Sequence, residues 1–94
     1  MLEYHYTLYG KVQGVGFRYF VKEKANNLGI KGFVKNSQDN NNRIEILAQH
    51  ESQKVIDEFK DWLKIGPSMS NVEKIKKEKQ EKILKKYFDF QILN

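Results

Sequence analysis

The spacing of apolar residues changes along this chain from every second residue to a helical repeat and back, and this order restricts the fold more than any other feature. Residues 2–9 alternate as a half-buried strand does. From residue 17 the apolar positions form one helical stripe, and Gly29 suits the left-handed residue that ends a helix. The stripe consists of Phe17, Phe20, Val21, Ala25 and Leu28. Strand patterns return over residues 30–36 and 43–49, with a polar turn between them, so a hairpin is expected.

The second half of the chain continues with another helix and further strands. Ser52 is a candidate N-cap for the helix, and Gly66 with Pro67 should end it. The apolar stripe of this helix consists of Val55, Ile56, Phe59, Trp62 and Leu63, all interpreted as core. Residues 72–79 form a weaker strand, because Val72 and Ile75 have opposite parity and require a bulge or a twist. Alternation returns in a last strand at Phe88, Phe90 and Ile92.

The element order is therefore strand, helix, strand, strand, helix, strand, with an added C-terminal strand that pairs with its neighbour. Placing both helices on one face of a mostly antiparallel sheet buries both apolar stripes. This is an α+β, ferredoxin-like βαββαβ sandwich in which the first and third strands are central. No linker or repeat divides the chain, so residues 1–94 are predicted to form a single domain.

A glycine-rich turn over residues 10–18 joins the first strand to the first helix. Gly14 and Gly16 permit backbone angles that let successive N–H groups converge on one anion. Arg18 follows where the helix begins, beside donors that carry partial positive charge. It is one of only two arginines, against fifteen lysines. The glycine spacing is neither a Walker nor a dinucleotide motif, and a plain strand-to-helix turn is the alternative interpretation of this segment taken alone.

Composition excludes several kinds of chemistry and of location. The chain has no cysteine, so it offers no disulfide and no thiolate nucleophile or ligand. His5 and His50 are interpreted as surface residues. No apolar run could span a bilayer and the N-terminus lacks a signal pattern, so a cytoplasmic protein without membrane contact is expected.

The net charge of +5 is concentrated near the C-terminus. Residues 73–86 contain seven lysines and three glutamates, a local charge of +4. A solvated hairpin is the default interpretation of this lysine-rich segment. A surface for acidic partners is the alternative.

Several motifs together resemble the acylphosphatase family of small ferredoxin-like hydrolases. Residues 10–18 read G-K-V-Q-G-V-G-F-R, and residues 28–36 read L-G-I-K-G-F-V-K-N. Further matches are Ala25, Asp39, Gly66-Pro67, Val72, Ile75, Phe90 and Ile92. The resemblance covers nearly the whole chain, and it implies metal-independent hydrolysis of acyl phosphates, without a cofactor, to a carboxylate and inorganic phosphate. The small-molecule acyl phosphate is then the partner, and a monomer without specific nucleic-acid binding is expected.

The resemblance also assigns roles to residues. It implies that Arg18 binds the substrate phosphate and that Asn36 positions the attacking water. It further implies that backbone amides hold the phosphoryl oxygens, at Gly14, Val15, Gly16, Phe17 and Arg18. The proton of the water then passes to a phosphate oxygen or is lost late.

The chain departs from the family pattern at three places, none of them at the two catalytic positions. The turn at residues 39–42 is about two residues longer than the common one, which bears on how firmly the strand end at Asn36 is held. Phe33 stands where tryptophan is frequent, and Ser70 where alanine is frequent.

The competing interpretation is a ferredoxin-like module that binds nucleic acid or an acidic partner, since RNA-recognition motifs share this element order. Lys31, Gly32 and Phe33 imitate the start of an RNP1 motif. The next residues lack its small and aromatic positions, and the segment lies in the second strand instead of the third.

Overall fold

The computed structural model describes residues 1–12, 16–37, 42–67 and 70–93. The elements within these ranges are β1 (Leu2–Lys11), α1 (Phe17–Leu28), β2 (Lys31–Asn36), β3 (Arg43–His50), α2 (Gln53–Ile65), β4 (Asn71–Lys79) and β5 (Phe90–Leu93). The predicted order is confirmed, and most bounds move by one or two residues. Ser52 caps α2 by accepting a hydrogen bond from the Val55 N–H, and Gly29 ends α1 at φ 73°.

The strands form one sheet in the order β4-β1-β3-β2-β5, so β1 and β3 are central as predicted. All pairs are antiparallel except β2 with β5. Helix α1 packs on β2 and β5, α2 packs on β3 and β4, and the helices contact each other. Both helices therefore lie on one face of the sheet, over buried side chains such as Leu8, Val34 and Ile46. This is the predicted ferredoxin-like α+β fold.

A bulge in β4 resolves the parity conflict that the sequence shows there. Tyr9 of β1 pairs with Lys74 and Gly10 pairs with Val72, so Glu73 has no partner in the ladder. As a result Val72 and Ile75 both pack against the core. The backbones approach so closely at this point that a Cβ on Gly10 would lie 2.1 Å from the Asn71 carbonyl oxygen. Only glycine fits at this position.

The lysine-rich segment is not a hairpin, and this prediction was wrong. Strand β4 lies at one edge of the sheet, whereas β5 pairs with β2 at the opposite edge. Residues 80–89 cross the face of the sheet that the helices leave open, where the Tyr87 ring packs edge-on against Phe33 at 5.7 Å. Alternation identified the last strand but contained no information about its partner.

The crossing segment is fastened to the sheet through the side chain of Gln49, which is 1% exposed. Its Nε2 donates to Glu3 Oε1 at 2.6 Å and to the Lys85 carbonyl oxygen at 2.7 Å. Its Oε1 accepts from the Tyr87 N–H at 2.9 Å. Since every polar group of Gln49 is in use, its burial does not destabilise the fold.

Phe88 does not belong to the last strand, which begins at Phe90. Phe88 is 83% exposed, whereas Phe90 is buried and its ring contacts Phe59 with centroids 6.4 Å apart. The alternating pattern made the predicted strand begin two residues too early. It is Tyr87, the residue before Phe88, that contacts the sheet.

Replacing Tyr6 with phenylalanine is expected to stabilise the fold. The Tyr6 hydroxyl is buried and has no hydrogen-bond partner among the described residues. An unpaired buried hydroxyl costs about 1–3 kcal/mol, so its removal should raise the free energy of unfolding by about 1 kcal/mol. Guanidinium unfolding monitored by circular dichroism measures this change.

Tyr4→Phe is the matched control, since Tyr4 stacks on Tyr6 but its hydroxyl donates to Gln53 Oε1 at 3.1 Å. This variant should lose about 0.5–1.5 kcal/mol. Burial also raises the pKa of Tyr6, so the native state favours the neutral phenol and loses stability as pH rises past the ordinary tyrosine value of 10.0. Tyr6→Phe should therefore reduce the alkaline loss of stability. A lower stability than the wild type at pH 7 would contradict the assignment.

Candidate functional site

The topology places the start of α1 and the last residue of β2 at the same end of the sheet. Strands β1 and β2 both pair antiparallel with β3, so they run in the same direction. Helix α1 leads from the end of β1 back to the start of β2, so its first turn lies at the end of the sheet where both strands terminate. This end of the sheet carries Arg18 in α1 and Asn36 in β2, and we call it the loop rim.

The first turn of α1 has the features of an anion site. Gly16 is the N-cap residue in the left-handed conformation, with φ 72°, and its carbonyl oxygen accepts from the Phe20 N–H at 3.1 Å. No acidic side chain occurs in this turn, so no carboxylate of the turn itself offsets the partial positive charge of the helix N-terminus. Arg18 adds a full positive charge within the same turn.

Phe17 anchors this turn in the core. Its side chain is 1% exposed, and its ring lies so near Gly66 that a Cβ there would come within 3.2 Å of it. The structure thus brings together the predicted residues Gly16, Phe17 and Arg18. Gly14 and Val15 lie outside the described residues.

Asn36 is the last residue of β2 and points to the side of the sheet that the helices cover. Alternation places it on the same side as the buried Val34, while the Lys35 ammonium lies over the Phe33 ring on the open side, 5.8 Å from its centroid. The Asn36 Oδ1 atom is buried, and it accepts no hydrogen bond from the described part of the chain. A buried amide oxygen in this state can accept from a bound water or substrate.

Two residues that the sequence did not single out hold the strand end after Asn36. The Arg43 guanidinium donates to Ser37 Oγ at 2.8 Å, and the Ser37 N–H donates to the Arg43 carbonyl oxygen at 3.0 Å. The Gly10 N–H also donates to the Asn42 carbonyl oxygen at 3.0 Å, tying β1 to the same turn. These contacts hold the chain on both sides of residues 38–41, which lie outside the described ranges.

Phe20, predicted on the buried stripe of α1, is 41% exposed instead. Its neighbour Tyr19 is 58% exposed, and the two rings meet edge to face with centroids 5.7 Å apart. The Glu23 carboxylate accepts a hydrogen bond from the Tyr19 hydroxyl and raises the pKa of that phenol. These two aromatic rings therefore lie in solvent beside the loop rim.

The histidines lie away from the loop rim. His5 is half-buried on the open face of the sheet, with Nε2 2.9 Å from Glu3 Oε2. His50 is only half-buried, at the end of β3, where its Nδ1 accepts from the Ser52 N–H at 2.9 Å. A polar cleft of about 310 Å³ lies on the open face near His5, Tyr9 and Lys76. No cluster of His, Cys, Asp and Glu that could hold a metal occurs in the described ranges.

These observations define a small α+β domain in which an arginine-bearing helix N-terminus and a buried amide oxygen lie at one end of the sheet, and the oxygen accepts no hydrogen bond from the described residues. None of the helices within the described residues combines the length and the apolar character that a membrane crossing requires.

Comparisons with known proteins agree with this class. The sequence profile of the acylphosphatase family matches residues 4–92. An acylphosphatase from Borrelia garinii subsp. bavariensis is 43% identical over 94 residues, which cover 100% of this chain and 95% of the relative. The crystal structure of an acylphosphatase from Bacillus subtilis superposes with a TM-score of 0.91 at 35% identity, and all of both chains is covered. The structure of an acylphosphatase from Coxiella burnetii superposes with a TM-score of 0.87 at 33% identity, and 98% of this chain and 92% of that chain are covered.

The chain belongs to the acylphosphatase family, as its motifs indicate. It is an enzyme that hydrolyses acyl phosphates, which are small-molecule substrates.

Proposed function

We propose that the loop rim is the active site of this acyl phosphate hydrolase. Arg18 and the backbone N–H groups of residues 14–18 bind the oxygens of the phosphoryl group, and Asn36 orients the water that attacks it. The observation that carries this assignment is the buried Asn36 Oδ1, unpaired among the described residues, at the same end of the sheet as the N-terminus of α1, whose first turn has no acidic residue. Structural asparagines seldom leave a buried acceptor without a donor.

The reaction forms one bond to phosphorus and breaks another. The oxygen of a water attacks phosphorus while the bond from phosphorus to the carboxyl oxygen breaks, and the products are a carboxylate and inorganic phosphate. The water supplies the new phosphate oxygen, its proton passes to a phosphate oxygen or is lost late to solvent, and the electron pair of the broken bond leaves with the carboxylate. Such a transition state gains most from positioning and from donors that face the phosphoryl oxygens, which the N–H groups and Arg18 provide.

Asn36 acts by orientation and not as a base. Its amide takes up no proton near neutral pH, but Oδ1 can accept a hydrogen bond from the water and Nδ2 can donate one. The leaving carboxylate is weakly basic, so its departure needs little help from a general acid. This chemistry is compatible with a rim that holds neither histidine.

We propose that the reaction requires no metal ion and no cofactor, since the groups assigned to the phosphate are N–H donors and a guanidinium. We also assign a single domain over residues 1–94, supported by the hydrophobic core that all described elements share. A monomer and a cytoplasmic location belong to the same proposal. Specific nucleic-acid binding is not assigned, because Glu45 and Glu78 stand beside Lys76 on the open face of the sheet and give it mixed charge.

The test is hydrolysis of benzoyl phosphate by the purified chain, with and without a chelator. We expect hydrolysis well above the spontaneous rate, unaffected by the chelator, and competitive inhibition by inorganic phosphate at roughly millimolar concentrations. Loss of activity with the chelator and recovery with a divalent cation would overturn metal independence. A rate equal to the spontaneous one would overturn the proposed active site and favour a binding module instead.

A further inference from the structure

The aromatic pair of Tyr19 and Phe20 is exposed at the loop rim, the end of the sheet where the substrate is proposed to bind. Other large apolar side chains are exposed in the described ranges, such as Ile65, Leu84 and Phe88, but scattered residues of this kind are ordinary on protein surfaces. Tyr19 and Phe20 differ because their rings contact each other and form one continuous apolar surface. Phe20 also belongs to a helical stripe whose members Phe17, Val21 and Ala25 are buried.

The pair lies directly against the proposed phosphate-binding turn. A Cβ on Gly16 would lie 3.6 Å from one atom of the Phe20 ring and 3.8 Å from another, in ordinary van der Waals contact. The Phe20 N–H is bonded to the Gly16 carbonyl oxygen, so ring and turn belong to one rigid helical turn. Tyr19 follows Arg18 directly within the same helix.

The substrate itself supplies the group that would cover these rings. In an acyl phosphate the acyl group is joined to phosphorus through a single oxygen, so a phosphoryl group held by the turn leaves its acyl group just outside it. The donors of the rim are assigned to the phosphoryl oxygens, and the surface next to them is apolar. An apolar acyl group gains free energy by leaving water there, and an aromatic one also gains from ring packing.

We propose that Phe20, with Tyr19 beside it, forms the acyl-binding surface of this enzyme and favours acyl phosphates with apolar, above all aromatic, acyl groups. The proposal rests on the assignment of the loop rim as the active site. Phe20 is a specificity residue, since its ring would contact the acyl group of the substrate while Arg18 and Asn36 act at the phosphoryl group. The phosphate affinity of the enzyme should depend little on either ring.

The test compares benzoyl phosphate with acetyl phosphate, which carry the same phosphoryl group on acyl groups of different size. Values of kcat/KM are measured for the wild type, Phe20→Ala and Tyr19→Ala. For Phe20→Ala we expect kcat/KM to fall about tenfold for benzoyl phosphate but less than about twofold for acetyl phosphate. Tyr19→Ala should shift the same ratio about threefold. Comparing each variant with the wild type cancels the difference in chemical reactivity between the two substrates.

Phe88→Ala is the matched control, since Phe88 is 83% exposed and precedes β5 at the opposite end of the sheet. It should leave both kcat/KM values unchanged. Inhibition by inorganic phosphate should stay within about twofold in Phe20→Ala, which shows that the turn is intact. An equal fall for both substrates, or no change in their ratio, would overturn the acyl-binding surface. Absence of hydrolysis of both substrates by the wild type would instead overturn the function on which it rests.

Discussion

Replacing Arg18 with lysine is expected to lower kcat/KM for benzoyl phosphate about 100-fold or more while the fold stays intact. The change keeps one positive charge in the first turn of α1 but removes the planar pair of donors that fits two phosphoryl oxygens. A loss of 100-fold corresponds to about 2.7 kcal/mol of transition-state stabilisation. Initial-rate kinetics measures the loss, and circular dichroism of the variant checks the fold.

The other arginine of the chain provides the control with the same chemical change. The Arg43 guanidinium donates to the Ser37 hydroxyl and is assigned no contact with substrate. Arg43→Lys should therefore keep kcat/KM within about threefold of the wild type, since lysine keeps the positive charge and the change weakens contacts at a turn and not at the substrate. Full activity in Arg18→Lys would exclude a phosphate-binding role for Arg18. An equal loss in both variants would show that the rim responds to arginine replacement in general.

The core of this fold was predictable because each apolar stripe has only one way to be buried. The alternation in β1 and the helical spacing in α2 place Leu8 and Phe59 in the core, where both are fully buried. Gly29 marked the end of a helix because few other residues tolerate its backbone angles. Local rules were sufficient wherever the determining contacts are near in sequence.

Strand pairing at the edges of the sheet was not predictable in the same way. Alternation in β5 shows that Phe90 needs a core, but this core could have been reached from the β4 edge or from the β2 edge. The choice depends on residues 80–89, whose attachment runs through Gln49, a polar residue that looks unremarkable in sequence. Long-range hydrogen bonds of this kind have no local signature.

In the candidate site, too, only the features that depend on local sequence could be predicted. The glycine turn and Arg18 could be interpreted from the residues alone as an anion site, since N–H convergence and helix charge are local properties. Asn36 became a candidate only through the family resemblance, because an asparagine at a strand end usually begins a turn. The exposure of Phe20 was not predicted. Helical spacing shows which side of a helix a residue lies on, but it does not show how far the sheet extends beneath that side.

Asn36→Ala is expected to lower kcat about 100-fold while inhibition by inorganic phosphate changes less than about threefold. The side chain is assigned to the attacking water and not to the phosphoryl group, so its loss affects turnover far more than phosphate binding. Steady-state kinetics with benzoyl phosphate gives kcat, and competition with inorganic phosphate gives the affinity of the phosphate site.

The stability of the same variant separates a catalytic role from a structural one. The buried Oδ1 has no donor among the described residues, so truncation removes an unpaired polar atom, and the free energy of unfolding should fall by no more than about 1 kcal/mol. Asn27→Ala, at an exposed position of α1, is the matched control and should retain full kcat. A loss of several kcal/mol in Asn36→Ala, with phosphate affinity falling in parallel with kcat, would mean that Asn36 holds the strand end or the substrate. Lost turnover with stability and phosphate affinity retained is the result that a water-orienting amide requires, because such a residue is present for the reaction and adds little to the fold.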